Sequence, residues 1–367
     1  MRNKIKIAVV VAAIAAAVLV FGQSRQHAQT TTPSQVVTAG QKFKNIKVLN
    51  DMPADQLGKV MNIFAASLGV DCNFCHNTKD YSLDEKKEKE TARKMITMTF
   101  GINKASFDGR TEVSCNTCHN GREHPLNQPS LVPVAQVERP KQPEKKPLAD
   151  DIIANYIKVI GGADKIAKIT SRTITATRVE PDGKTEPEMI YYKDGKYSTK
   201  VTYGERWVSD IYDGTGAAKF GKFEKFDITP DDAEQIKRDA QLFRPTDLKT
   251  IYPKMEFRFL DRIDGRDVYV VQATTASNIR ERLYFDVASG FLVRRVVATP
   301  TVLGNFVYQV DYSDYKSFDG VMLPTTIKES RPNIVWTKKV TAVKNNAAID
   351  DSVFKVTAPE PRPAPKN

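Results

Sequence analysis

Hydrophobic residues are distributed along the chain in three ways, and the first is a single apolar block. Residues 7–22 are apolar and follow a short basic start, which is typical of an export signal. Residues 23–40 are polar and rich in Thr and Gln, as in a flexible tether. We therefore predict a signal peptide or signal anchor over residues 1–22 and a protein that works in the periplasm or is anchored to the outer side of a membrane.

The second pattern is helical spacing in the first third of the chain. Residues 53–68 place apolar side chains on one face, with Met61 in its middle. Residues 83–102 do the same in their later half, where Met95 and Met98 lie near the apolar face. We predict two helices, each carrying methionine.

The third pattern is alternation, which follows a further helical stretch at residues 149–169. Short runs rich in Val, Tyr, Phe, Ile and Thr alternate with polar residues and predict strands, among them Val268–Thr274, Arg282–Val287, Phe291–Ala298 and Phe306–Tyr312. Turn-forming pairs separate the runs: Asp182-Gly183, Asp194-Gly195, Asp213-Gly214, Asp264-Gly265, Ser289-Gly290 and Asp319-Gly320. The pattern favours an antiparallel meander with a packed helix, similar to the open half-barrel of lipoprotein-carrier proteins.

Two proline-rich stretches, near residues 129–147 and 359–367, divide the chain. We predict a multidomain α+β protein in which a small α-helical module precedes an antiparallel β domain. Its predicted parts are the signal at 1–22, the tether at 23–40, the helical module at 41–126, a Pro-rich linker at 127–147, the β domain at 148–357 and a disordered tail at 358–367.

The formal net charge of the 367 residues is +11, from 55 Lys and Arg against 44 Asp and Glu. Such a charge suits acidic partners or an anionic membrane surface. The basic residues are interleaved with acidic ones, and this arrangement gives no support to binding of nucleic acid.

The four cysteines of the chain form two C-x-x-C-H motifs, at residues 72–76 and 115–119. Two thiols three positions apart can form thioethers with the two vinyl groups of one haem, and the histidine that follows then points at the iron. The motifs predict two covalently bound haem c groups, with thioethers at Cys72, Cys75, Cys115 and Cys118 and proximal iron ligands at His76 and His119.

Three other sites use paired cysteines. A zinc ribbon has a shorter gap than the one between Cys75 and Cys115, and a redox-active dithiol needs a βαβ context. Structural disulfides, like both of these, leave the two histidines unexplained. Haem attachment accounts for all six residues.

Each iron also needs a sixth ligand, and methionines on the two predicted helices are the candidates. Met61 precedes Cys72 by eleven residues, and Met95 precedes Cys115 by twenty. Met52 is a weaker candidate because it precedes its helix. The order of methionine helix and attachment motif therefore occurs twice.

This succession, over about residues 44–126, resembles half of the tetrahaem cytochrome subunit of photosynthetic reaction centres. The residues that carry the resemblance are Val48-Leu49, Met61, Cys72–Asn77, Ala92–Thr99, Ile102-Asn103, Val113, Cys115–His119 and Gly121. In that family each haem-binding unit is a helix with an axial methionine, a turn and a C-x-x-C-H helix. The resemblance implies that Met61 and Met95 are the sixth iron ligands and that Met98 has a packing role.

The chain also departs from that family. It has no cysteine after Cys118 and no histidine between Asn103 and Ser114, so two haems are expected instead of four. Function does not follow from a shared fold, and the acceptor is either a membrane-bound reaction centre, as the resemblance implies, or another oxidised partner.

The expected function is electron transfer outside the cytoplasm, without enzymatic activity or catalytic residues. A haem enzyme of the peroxidase type, with one open iron position, is one alternative. The other is a carrier of apolar ligands, in which the β domain binds a lipid or quinone or packs on a partner protein. That domain has no histidine or cysteine, which removes most catalytic pairings.

Overall fold

The structure is a computed structural model that describes residues 36–128, 140–241, 248–356 and residue 360. The predicted signal, most of the tether, part of the linker and most of the tail lie outside these residues. Among the helices of the described ranges, none is long and apolar enough to span a bilayer.

Helices form the first described unit and flank the second. They are α1 (Ala39–Lys42), α2 (Leu57–Leu68), α3 (Cys72–Cys75), α4 (Lys87–Ser106), α5 (Cys115–His119), α6 (Ala149–Val159), α7 (Ala163–Ala167), α8 (Pro230–Gln241) and α9 (Leu248–Ile251). Short 3-10 turns occupy Ala54–Gln56 and Asp351–Phe354. The helical unit thus begins at α1, within the last residues of the predicted tether.

Two predicted helices have different bounds in the structure. The helix expected from residue 83 starts at Lys87, because Asp84 lies before it and binds side chains of that helix and of the preceding loop. The helix expected over residues 149–169 is broken at Gly161 and Gly162, which have positive φ angles of 128° and 86°. A Cβ on Gly161 would lie 2.5 Å from the carbonyl oxygen of Gly320, so glycine permits this close approach.

The β domain is one antiparallel sheet of 13 strands. They are β1 (Ser171–Val179), β2 (Thr185–Lys193), β3 (Lys196–Tyr203), β4 (Arg206–Tyr212), β5 (Ala217–Gly221), β6 (Glu224–Phe226), β7 (Lys254–Ile263), β8 (Arg266–Thr274), β9 (Arg280–Asp286), β10 (Leu292–Thr301), β11 (Gly304–Phe318), β12 (Val321–Arg331) and β13 (Ile334–Asn345). Each predicted turn pair joins two consecutive strands.

The strand order is β6-β5-β4-β3-β2-β1-β13-β12-β11-β10-β9-β8-β7. Every neighbour is consecutive in sequence except β1 and β13, which pair in the middle of the sheet. The segment with α8 and α9 connects the two edge strands, β6 and β7. The predicted fold class, helices followed by an antiparallel half-barrel with packed helices, is confirmed.

The main core of the β domain lies between α6 and the sheet. Ile153 and Tyr156 of α6 belong to the same buried cluster as Val271, Leu283 and Phe285 of the strands. The ring of Tyr156 lies 5.4 Å from that of Phe285. The strand face that α6 covers takes every second residue, as at Leu283 and Phe285.

One hairpin of the β domain reaches into the helical unit. Leu303, between β10 and β11, is fully buried in a cluster with Val60 of α2 and Ile96 of α4. The same cluster holds Met52, which is therefore a core side chain. Nearby, the Lys59 ammonium lies 2.7 Å from the Asp231 carboxylate of α8. The helical unit thus obtains part of its core from the β domain.

Candidate functional site

The cysteines of the two C-x-x-C-H motifs lie in the short helices α3 and α5; His119 is the last residue of α5, whereas His76 follows α3 with extended backbone. Asp71 and Ser114 stand at their N-caps with extended backbone, and Ser114 takes part in a capping box with Thr117. Polar residues at this position end the extended segment and start the helical turn. In each motif the two cysteines lie three positions apart, on the same side of that turn.

All four thiols are free of disulfide bonds. Burial raises the pKa of the Cys115 thiol to about 11 and raises that of Cys75, where the charge of Glu88 acts in the same direction. Both thiols are therefore protonated near neutral pH, and neither has the lowered pKa of a redox-active dithiol. Uncommitted, protonated thiols suit thioether formation.

In both histidines, Nδ1 lies close to a backbone carbonyl oxygen. His76 Nδ1 lies 3.3 Å from the carbonyl oxygen of Tyr81, and His119 Nδ1 lies 2.9 Å from that of Arg122. A carbonyl can only accept a hydrogen bond, so each Nδ1 donates and the tautomer leaves a lone pair on Nε2. Histidines that ligate metals are usually oriented by such a bond.

His76 lies in a cationic environment. Burial lowers the pKa of its imidazole, and the charges of Lys89, Arg93 and Lys86 lower it further, whereas the hydrogen bond to Tyr81 acts in the opposite direction. The neutral form, which binds metals, is thereby favoured.

The predicted methionines lie in different settings. Met61 is partly buried against the cluster that contains Val60 and Ile96. Met95 is 38% exposed, Met98 46% and Ile102 36%, and these three form one apolar stripe on α4. The core-facing side of α4 consists instead of Lys89, Arg93, Ile96, Thr99 and Asn103.

This division differs from the expected pattern, in which Met95 and Met98 lie near the apolar face of α4. Ile96 is in the core, and the methionines lie on another side. Met98, for which the resemblance implies a packing role, is more exposed than Met95. The exposed stripe on α4 carries the thioether sulfurs of Met95 and Met98, and α4 packs on the short helix that holds Cys72 and Cys75. Such an apolar stripe fits the flat surface of a haem.

The helices of the two units pack crosswise. α2 packs on α5, and α4 packs on α3. At the first contact, Gly121 N–H donates to the carbonyl oxygen of Ser67 at 2.8 Å. At the second, the Lys86 ammonium donates to the carbonyl of Asn73. Each methionine helix therefore contacts the attachment helix of the other unit, and the two units form one body.

Sequence reasoning missed a polar cluster around Asp84. Its carboxylate lies 2.9 Å from Arg93, 2.8 Å from Lys47 and 3.1 Å from Lys89. Hydrogen bonds from Arg93, Lys47 and Asn45 hold the pKa of Asp84 far below its usual range. The cluster fixes the loop after His76 to α4. A signal for it was available, because Lys89 and Arg93 share a helical face with Ile96.

Asn103 was also missed as a positioning residue. It is buried in α4, and its side-chain amide donates to the carbonyl of Val113 at 2.8 Å. Its oxygen accepts from the backbone N–H groups of Glu112 and Val113 at 3.2 and 2.9 Å. Asn103 thereby fixes the segment that leads into Cys115.

The β domain contains a cavity of about 180 Å³. Tyrosines and ion-paired side chains stand among the aliphatic side chains that line it. Arg295 lies 2.7 Å from Glu281 and 3.2 Å from Asp239. Lys338 lies 3.0 Å from Glu188 and 2.8 Å from Glu329. These pairs bring long-range partners together, which strand periodicity does not reveal.

Comparison with protein families matches residues 13–154 to the photosynthetic reaction centre cytochrome C subunit. The matched segment contains both C-x-x-C-H motifs. It supports an electron-transfer role of the c-type cytochrome kind and implies covalently attached haem. A search of curated proteins found no match.

Three solved structures resemble the β domain. A DUF1329 family protein from Desulfovibrio piger is 12% identical, with a TM-score of 0.41, over 56% of this chain and 96% of its own. A putative outer membrane lipoprotein-sorting protein domain from Vibrio parahaemolyticus is 9% identical, with a TM-score of 0.39, over 56% and 94%. A LolA superfamily protein from Nitrosomonas europaea is 13% identical, with a TM-score of 0.40, over 57% and 98%.

Proposed function

We propose that the helical module is a dihaem cytochrome c that passes electrons outside the cytoplasm to an oxidised redox partner. The observation that carries this proposal is the matched pair of histidines. Each follows two free cysteines, and in each a backbone carbonyl holds Nδ1 while Nε2 keeps its lone pair.

Sequence order, in which each methionine helix precedes one attachment motif, divides the residues into two sets of ligands, although each of these helices packs on the other motif. Cys72, Cys75 and His76 hold one haem, with Met61 as the sixth ligand. The second set holds the other haem and consists of Cys115, Cys118, His119 and Met95. Bound haem supplies an iron that takes up and releases one electron at a time.

The protein side of this chemistry is the control of the iron ligands. The Nδ1 bonds orient both imidazoles and raise their donor strength. Methionine is a soft ligand, and a His/Met pair raises the reduction potential. If Met61 and Met95 ligate the two irons as well as the histidines, neither bound haem would keep an open position for peroxide, and an electron carrier is favoured over a haem enzyme.

The partner class follows from charge. The chain carries a net charge of +11, and exposed lysines such as Lys87 and Lys94 lie on the helix that bears Met95. A basic surface favours encounter with an acidic protein face. A membrane-bound reaction centre or another oxidised protein of that character is the proposed acceptor.

A second function is favoured by the cavity of the β domain. Aliphatic side chains and tyrosines line it together with ionised groups, which suits a small amphipathic molecule such as a lipid or quinone head. Solvent extraction of the purified full chain, followed by mass spectrometry, tests this role. A stoichiometric amphiphile supports it, and an empty chain counts against it.

The test of the electron-transfer role is expression of the full chain in a host that attaches haem c. We expect a mass increase of two haems, low-spin spectra with methionine-to-iron charge-transfer bands, and two one-electron waves in a redox titration. A chain that takes up no haem refutes the proposal, and a stable high-spin site points to the haem enzyme.

A further inference from the structure

The two histidine–carbonyl bonds differ in one respect. The carbonyl oxygen of Tyr81 accepts from His76 at 3.3 Å and also from the Lys89 ammonium at 2.9 Å. The carbonyl of Arg122 lies closer to its histidine, at 2.9 Å from His119 Nδ1. His76 therefore has the longer bond, to an acceptor that a buried cation also uses.

Lys89 is placed for this role by its surroundings. It is 9% exposed, and its ammonium also donates to the carbonyls of Ser82 and Leu83 at 3.2 and 2.8 Å. The Asp84 carboxylate lies 3.1 Å away. Three carbonyls and a carboxylate surround the ammonium and offset the cost of burying its charge.

Lys89 affects the His76 site in two ways, and both raise the reduction potential of that site. Competition for the Tyr81 carbonyl weakens the Nδ1 bond, so the imidazole is a weaker donor to a metal. The ammonium is also a positive charge close to the ring, and charge of that sign favours the site with one more electron. A weaker donor and a nearby cation both stabilise the reduced state.

We propose that Lys89 is a positioning residue that makes the His76 site the more easily reduced of the two. The inference rests on the proposed dihaem function. An electron shared between the two sites at equilibrium then resides mainly at the His76 site. Tyr81, which is 54% exposed, lies beside that site with its ring 5.3 Å from His76, so the favoured site is near the surface.

The test is redox titration of the two-haem full chain carrying Lys89→Met. The upper of the two waves belongs to the His76 site in this proposal. We expect its potential to fall by about 59 mV, which corresponds to a tenfold change in the equilibrium constant of a one-electron reduction. The lower wave should stay in place. Lys94→Met removes an exposed lysine from the same helix and should move neither wave. Lys89→Arg keeps the positive charge, so its upper wave should lie close to that of the wild type.

Asp84→Asn separates electrostatics from simple loosening of the loop. Both variants remove an anchor of residues 81–84, but Asp84→Asn removes a negative charge, so we expect the upper wave to rise. A fall in both variants would mean loosening and would overturn the inference. If Lys89→Met binds fewer than two haems, Lys89→Gln takes its place. A two-haem variant whose upper wave does not move refutes the role of Lys89 alone, whereas a wild-type chain without haem refutes the function itself.

Discussion

Gly69 and Gly121 lie so close that a Cβ on Gly69 would stand 2.4 Å from the carbonyl oxygen of Gly121. Gly69 ends α2 in the left-handed conformation, with φ of 68°. Gly69→Ala therefore combines a strained backbone with a clash, and we expect a loss of unfolding free energy of at least about 1–2 kcal/mol. Chemical denaturation measures it.

Gly101→Ala is the matched control. Gly101 lies inside α4, and a Cβ there would meet no atom within 4 Å. We expect a gain of about 0.5–1 kcal/mol, since alanine is the better helix former. Equal effects of the two substitutions would contradict the close approach of α2 and α5.

The insertion of Leu303 predicts that a β-domain residue stabilises the helical module. Leu303 is fully buried, and Leu303→Ala should cost about 2–5 kcal/mol. Unfolding followed by haem absorbance should register this loss. Val307→Ala, at a position 36% exposed on β11, should cost under about 1 kcal/mol. An unchanged haem transition in Leu303→Ala would show that the hairpin does not support the module.

Glu281 predicts a pH dependence of stability. Burial raises the pKa of its carboxyl, but the charges of Arg295 and Arg238 and a hydrogen bond from Tyr252 outweigh burial and lower it. A lowered folded-state pKa contributes stability above the unfolded value of about 4.3, and this contribution is lost as pH falls through the folded value. We expect Glu281→Gln to cost about 3–5 kcal/mol at neutral pH and less in acid.

Unfolding free energies of both chains between about pH 6 and pH 3 provide the measurement. Glu256→Gln is the control, because Glu256 pairs with Lys254 at 3.4 Å on an exposed surface. It should be close to neutral throughout. A constant difference between wild type and Glu281→Gln across this range would argue against the linkage.

The proposed role of Met61 as the sixth iron ligand of one haem can be tested by substitution. Met61→Leu removes the thioether and keeps an apolar side chain, so one of two haems should lose its methionine-to-iron band and become high-spin. Met98→Leu should leave both bands intact. Spectra of the ferric proteins decide between them. Loss of a band in Met98→Leu would instead mean that Met98 is an iron ligand in place of Met95 or Met61.

The sequence predicts those features of the fold and the site that depend only on residues adjacent in the chain, such as the turns and the attachment motifs. Each Asp-Gly or Ser-Gly turn joins two strands because the left-handed conformation is a local property, as at Asp194 and Gly195 with φ of 50° and 76°. The attachment motifs are equally local. Their thiols and histidines follow from spacing alone. The structure places both thiols of each motif on one short helix, with His119 inside its helix and His76 directly after the other.

Features that join distant segments could not be predicted. Lys89 shares a helical face with Ile96, but nothing in its charged run indicates which carbonyls of the loop after His76 bind its ammonium. Arg295 alternates correctly in β10, but its partners Glu281 and Asp239 come from β9 and α8. Periodicity shows which side a residue occupies and not what approaches it from elsewhere.

The inserted hairpin has a consequence for the order of assembly. A chain is made from its N-terminus, so both C-x-x-C-H segments exist long before Leu303. Without that side chain the core between α2 and α4 lacks one of its members, and contacts so distant in sequence form slowly. The cysteines of both attachment segments are therefore accessible while the helical module is still incompletely packed. Packing of Leu303 into its core completes the module afterwards.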